Sequence, residues 1–247
     1  MSTSELSPQL APELPAPPQI APELSPDVAP PIIVRPDGDN RPFRTAPRSW
    51  HVAKRGMDVV LGGAVLVGLA PLIAVASAAI AIVSRGSPFF WQERVGENGR
   101  RFRMWKLRTM VDGAHLEHGE MLQFNEVDGP VLKIRNDPRL HRLGKFLRRT
   151  SIDELPNLFN VVRGDMSLVG PRPPLPSEVD HYDSFARRRL LVKPGITCLW
   201  QISGRSSLSF ETWMRLDNRY IETWSPLGDL AILLKTLPAV IGGKGAH

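Results

Sequence analysis

The sequence predicts a mainly helical α+β chain held at a membrane, and three observations carry that reading. Residues 59–83, VVLGGAVLVGLAPLIAVASAAIAIV, form a run of 25 residues without a charge. Residues 88–109, PFFWQERVGENGRRFRMWKLRT, place aromatic and branched residues on both sides of a Gly-Glu-Asn-Gly turn and read as a small β-hairpin. Residues 150–162, TSIDELPNLFNVV, open a helix with an adjacent acid pair, Asp153 and Glu154.

The elements follow in chain order. Residues 1–34 hold Glu5, Glu13, Glu23 and Asp27 and no basic residue, and half of the 24 prolines fall in the first 50 residues. Such a segment has little to bury, so residues 1–50 read as an extended, mobile Pro-rich tail. It lacks a basic stretch followed by an apolar one and is not a signal peptide. The whole chain carries +6 and residues 1–34 carry −4, which leaves +10 on residues 35–247. A basic body suits phosphates, nucleic acid or acidic lipid headgroups. The single cysteine, Cys198, excludes an intrachain disulfide and suits a reducing compartment. Walker A, dinucleotide, paired-Cys zinc and Gly-x-Ser-x-Gly signatures are all missing.

The uncharged run exceeds the ~20 residues that a helix needs to cross a bilayer. A buried core helix of that length is disfavoured. Pro71 sits at its midpoint, where it should kink or break the helix. Lys54 and Arg55 precede the run and Arg85 follows it, so basic flanks favour neither end for export. A helix that enters, turns at Pro71 and leaves on the same face satisfies both facts; from the residues alone a kinked span is its equal.

The second hairpin strand is dense in cations: Arg100, Arg101, Arg103, Lys106 and Arg108. They form a solvated face or meet headgroups and phosphates. Residues 111–145 are polar and irregular, and His115 and His118 read as surface residues rather than metal ligands. Ser151-Ile-Asp-Glu154 fits a capping box, which alone would explain the acid pair. Pro156 disturbs that fit, so either the first turn is irregular or the helix starts later. Gly170-Pro171-Arg172-Pro173 makes a rigid turn that presents one planar cation. KPGITCLWQISGRSS carries Lys193 and Arg205 between Gly-containing turns. The run SPLGDLAILLKTLPAVIGG, interrupted by Lys235 and Pro238, should lie in the membrane interface or pack on the domain.

Taken in order, KRGMDVV, the mid-segment proline, QERVGENGRRFRMWKLRTM, NEVDGPVLKIRNDPR, LRRTSIDELPNLFNVVRGDMSLVGPRP and KPGITCLWQISGRS resemble the monotopic phosphoglycosyl transferases, the bacterial sugar transferase family. The resemblance runs from about Lys54 to Val240. It implies a monotopic protein of the cytoplasmic membrane, with residues 51–86 a re-entrant helix broken at Ala70-Pro71. Residues 87–247 would be a catalytic domain on the cytoplasmic face, ending in an interfacial helix.

The reaction implied passes hexose 1-phosphate from a UDP-sugar to polyprenyl (undecaprenyl) phosphate and releases UMP. It is a first membrane step of exopolysaccharide, capsule or O-antigen assembly. By the same resemblance Asp153 is the nucleophile and forms a phosphosugar-aspartate intermediate, and Glu154 holds Mg²⁺. Arg148 stands where the family places a phosphate-binding arginine, and Lys106, Arg108, Arg172 and Arg205 are further candidates. The NEVDGP and NDPR stretches favour UDP-glucose or UDP-galactose. Membrane lipids and a second copy in a homodimer complete the implied partners, and nucleic acid is not among them.

Three departures stand out. Ala70 replaces the usual serine before the proline, Cys198 replaces the usual glycine, and the Pro-rich tail stands where larger relatives carry four membrane helices. A basic membrane scaffold without catalysis would explain the charge and the apolar run but not the acid pair.

Overall fold

The computed structural model describes residues 46–241 other than 85, 112, 115–122, 124, 126–129, 132–133, 135–136 and 204–207. The Pro-rich tail through residue 45, His115, His118 and Arg205 lie outside the described residues.

Helix α1 (Arg48–Ser84) takes in the whole uncharged run, with Pro71 inside it. Proline has no amide, so the carbonyl of Val67 loses its donor there. The expected break at Ala70-Pro71 is thus one missing bond within a continuous helix, not a gap between two. The helix is mostly exposed: Val60, Val67, Val75 and Ile82 each show two-thirds or more of their surface.

Its two halves are anchored differently. In the first, Lys54 Nζ donates to the Val169 carbonyl at 2.9 Å and pairs with Asp229 at 2.6 Å. Arg55 donates to the carbonyls of Val161 and Val162 at 2.7 Å each. Asp58 accepts from Ser167 Oγ and the Leu168 amide at 2.9 Å. In the second half, Ile73, Ala76 and Ile80 pack with Leu107, Leu143, Leu147 and Ile152.

The predicted hairpin is present as β1 (Phe89–Val95) and β2 (Arg101–Leu107), antiparallel. Its turn needs left-handed backbone at Asn98 (φ 56°) and Gly99 (φ 79°), residue types that tolerate it. Strand alternation puts Phe90, Gln92 and Arg94 on one face with Lys106, Met104 and Phe102. Phe102 and Met104 enter the main core beside Leu158, Val161, Met166, Leu168, Val169, Tyr220 and Ile232.

Two short helices follow, α2 (Arg142–Arg149) and α3 (Asn157–Arg163), joined by a 3-10 turn at Ile152–Glu154. The short strands β3 (Ser167–Val169) and β4 (Gly195–Thr197) pair in parallel. Between them lie α4 (Pro176–Asp180), α5 (Ser184–Arg187) and a 3-10 turn at Arg188–Leu191. The chain continues with α6 (Leu199–Ile202), α7 (Phe210–Thr223) and α8 (Pro226–Ile241). A second core gathers Tyr182, Cys198, Met214 and the stacked rings of Trp200 and Trp213, whose centroids are 4.4 Å apart.

Helix α8 packs Ile232 into the main core and leaves Leu227, Leu230, Leu234 and Leu237 exposed. Spacings of three and four residues place those leucines on one stripe. Cys198 sits in extended backbone (φ −148°), buried, its thiol donating to Gln201 Oε1. A conformation any residue adopts explains why a side chain is accepted at that position.

Candidate active site

The acid pair does not cap a helix. Ser151 is in the left-handed region (φ 57°) and its side chain makes no capping bond. Asp153 and Glu154 belong to the 3-10 turn, and the α-helix begins only after Pro156, at Asn157. The capping-box reading is therefore corrected, and of the two boundaries that Pro156 left open the later start holds, beyond Asp153 at Asn157. Pro156 cannot donate inside a helix, so the chain makes a tight corner first and starts α3 beyond it.

That corner faces the hairpin. Lys106 reaches from β2 to Glu154 Oε1 at 2.7 Å, with both side chains partly exposed. Asp153 is buried, only 6% exposed. Burial pushes its carboxyl up from 3.8 to about 6, against the pull of Lys106 and Arg148 and with the push of Glu154. Glu154 moves the other way. Burial alone would raise it, but the Lys106 ammonium, with Arg172 and Arg94, holds it below its usual value. The two neighbours are thus split into a basic carboxylate and a firmly ionised one, a division of labour typical of reacting sites.

Arg148 comes from the last turn of α2 and is fixed by its Nε donating to Thr109 Oγ1 at 3.0 Å. Gly144 makes that approach feasible: any Cβ there would collide with the Thr109 carbonyl. Burial lowers the Arg148 pKa, while Asp153, Asp137 and Glu154 support its charge. Asp137 is occupied by Arg139, which donates to it at 2.6 Å and 2.9 Å. Arg172 lies 3.5 Å from Glu178 and near enough to Glu154 to stabilise its charge.

The structure therefore gathers Asp153, Glu154, Lys106, Arg148 and Arg172. It adds Arg94, which the sequence had not singled out, from the Lys106 face of the hairpin. Burial and the neighbouring Arg172 press the Arg94 pKa down to about 9. The guanidinium of Arg108 lies over Gly86, where α1 gives way to the hairpin. The signal for Arg94 was available in the strand alternation, which sets it two residues from the turn on the inward face.

The donor set also bears on a metal. Asp153 and Glu154 are hard oxygen donors, and no cluster of three or more His, Cys, Asp or Glu exists among the described residues. Carboxylate oxygens are the donor type that Mg²⁺ takes, commonly one or two at a time.

A family profile described as bacterial sugar transferase matches residues 49–243, from the start of α1 to the end of α8. The chain belongs to the bacterial sugar transferase family. With it comes the class of enzyme recognised in the motifs, a bacterial phosphoglycosyl transferase.

Among relatives, Galactosyl transferase CpsE of Streptococcus agalactiae is 44% identical over 202 residues, covering 80% of this chain and 44% of its own. Exopolysaccharide production protein ExoY of Sinorhizobium fredii is 39% identical, covering 79% of this chain and 88% of its own. A UDP-glucose:undecaprenyl-phosphate glucose-1-phosphate transferase of Caulobacter vibrioides is 38% identical, covering 84% of this chain and 77% of its own. This sugar transferase thus spans less than half of CpsE and most of ExoY.

Proposed function

We propose that the protein transfers hexose 1-phosphate, from UDP-glucose or UDP-galactose, to a polyprenyl phosphate such as undecaprenyl phosphate. Asp153 Oδ would attack the β-phosphorus of the UDP-sugar. The bond from that phosphorus to the bridging oxygen breaks, and UMP leaves with the electron pair. An oxygen of the lipid phosphate then attacks the same phosphorus and releases Asp153, giving a polyprenyl diphosphate sugar.

The observation that carries this reading is the split of the acid pair. A buried carboxylate with a pKa of about 6 is mostly ionised near neutral pH yet more basic than an ordinary aspartate, which favours it as a nucleophile. Lys106, Arg148 and Arg172 supply the positive surroundings that let it approach a dianionic diphosphate. Mg²⁺ held by Glu154 beside Asp153 would add neutralisation across that diphosphate. The names of CpsE and the Caulobacter relative support galactose or glucose as the sugar. The name of ExoY supports a role in exopolysaccharide production.

The same reading includes a monotopic, re-entrant α1, with the exposed leucine stripe of α8 in the membrane interface. Its support is that both halves of α1 pack on one body. Lys54 and Ile80 are about 39 Å apart along an unbent helix, more than the ~30 Å hydrocarbon core, and a straight span could not serve one domain at both places. The test of function is UMP release from UDP-glucose and UDP-galactose with polyprenyl phosphate and Mg²⁺. Wild type should release UMP, and folded Asp153→Asn should not, since an amide is a far poorer nucleophile. Substantial turnover by that variant would remove Asp153 from the chemistry.

A further inference from the structure

The loop Pro171–Pro174 carries Arg172 toward the acid pair, and three of its four residues are prolines with no amide to donate. Such a loop cannot stabilise itself with backbone bonds of its own. Each of its four carbonyls nevertheless accepts a bond from outside. Gly195 N donates to Pro171 at 2.9 Å, and Val95 N donates to Pro174 at 2.9 Å. Arg189 Nη2 donates to Arg172 O at 3.0 Å, and Arg94 Nη1 donates to Pro173 O at 3.0 Å. Two of the four donors are therefore buried guanidinium groups, a costly choice where an amide or hydroxyl would serve.

Both arginines are themselves held. Arg189 pairs with Asp217 at 2.7 Å and donates to the Tyr182 hydroxyl at 2.8 Å. Arg94 donates to Gln92 Oε1 at 2.6 Å, on the hairpin face that also carries Lys106. One clamp ties the loop to the α7 side of the domain, and the other ties it to the strand pair opposite the acid turn. We propose that Arg94 and Arg189 are positioning residues, which grip the successive carbonyls of Pro173 and Arg172 and so aim Arg172 at the phosphates of the substrate. The inference rests on the reading that Arg172 meets the diphosphate. Arg94 touches no substrate in this account and acts through the loop.

Two measurements test it, and the first needs no substrate. In folded Arg94→Met, the amides of Val95 and Leu175 should exchange with solvent about tenfold faster, as a locally loosened segment does. The Asp229 amide, which donates to the Ser225 carbonyl at the start of α8, should not change. The second is a double-mutant cycle on UMP release. Arg172→Ala should lower kcat/KM about a hundredfold and Arg94→Met about tenfold, as losses of a charged contact and of its alignment.

If Arg94 works through Arg172, the double variant is no worse than Arg172→Ala alone. Arg94→Lys, which keeps one donor for Pro173, should recover most of the loss. Tyr182→Phe, gentler than any change at buried Arg189, should reproduce the effect in part. Unchanged exchange at Val95 and Leu175, or losses that multiply in the double variant, would overturn the clamp. Absence of UMP release from wild type would refute the proposed reaction instead, and the exchange experiment would still decide the clamp.

Discussion

Asp153 must be buried and charged at once, and the conflict should be measurable as stability. Its folded-state pKa of about 6 lies above the ordinary 3.8. Between those values the folded protein keeps a proton that the unfolded chain has released, so stability falls as pH rises through that window. Above about pH 6 the deficit is complete, on the order of 3 kcal/mol. Asp153→Asn removes the ionisation. In metal-free buffer its Tm should exceed that of wild type at about pH 7.5, and the gap should close below about pH 4. Calorimetry across that range checks it, and a variant less stable at the higher pH would contradict the burial cost. At this scale the sequence was informative where residues form a motif: Asp153, Glu154, Lys106, Arg148 and Arg172 all lie in recognisable strings, and the three cations come within electrostatic reach of the acid pair. Arg94, Asp58 and Arg189 were not legible because their partners lie elsewhere along the chain. Arg94 and Pro173 are 79 positions apart, and no local pattern announces such a bond.

Among the elements, the acid turn depends on how closely α2 can lie against the hairpin exit. Gly144 is the point of contact, since its missing Cβ makes room for the Thr109 carbonyl. Gly144→Ala should push α2 outward, cost about 2 kcal/mol in denaturant unfolding and carry Arg148 away from the turn. UMP release should fall about tenfold with it. Gly56→Ala is the control, because nothing stands within 4 Å of a Cβ there. That change should be neutral or slightly stabilising, as alanine is the better helix former. Equal losses at both glycines would show that the contact with Thr109 is not what matters.

The elements also explain what could be read in advance. The hairpin was visible because Asn-Gly demands a particular turn, and α8 because its leucines keep a helical spacing. The capping box at Ser151 was misleading. Its residues fit the pattern, but left-handed backbone at Ser151 and the proline two places past Glu154 settle the corner by sterics rather than by capping.

For the whole molecule, the question is how one domain holds α1 at both ends. The monotopic reading predicts that both flanks of the helix face the same compartment. Single cysteines at Ser49 and Ser87, both exposed, in a Cys198→Ala background should react alike with a membrane-impermeant thiol reagent. Opposite reactivity in intact cells would mean a true span. Replacing Pro71 by leucine restores the missing bond and favours an unbent helix long enough to cross. That should lower UMP release although residue 71 lies far from the acid pair in sequence. Full activity with a demonstrated span would show that Pro71 does not set the depth of the site.

The pair between Lys54 and Asp229 also has a temporal meaning. These residues are 175 positions apart, so the ribosome delivers the anion long after the cation. Throughout most of synthesis Lys54 is without its counter-charge, whereas Tyr220 and Trp224, which also bond to Asp229, are made only nine and five residues before it. Arg55 and Asp58 can find their partners on α3 and β3 before that, and α8 then adds the tie to Lys54. A nascent chain stalled before that helix would hold every residue of the acid turn and its cations while lacking the pair that fastens Lys54 to α8.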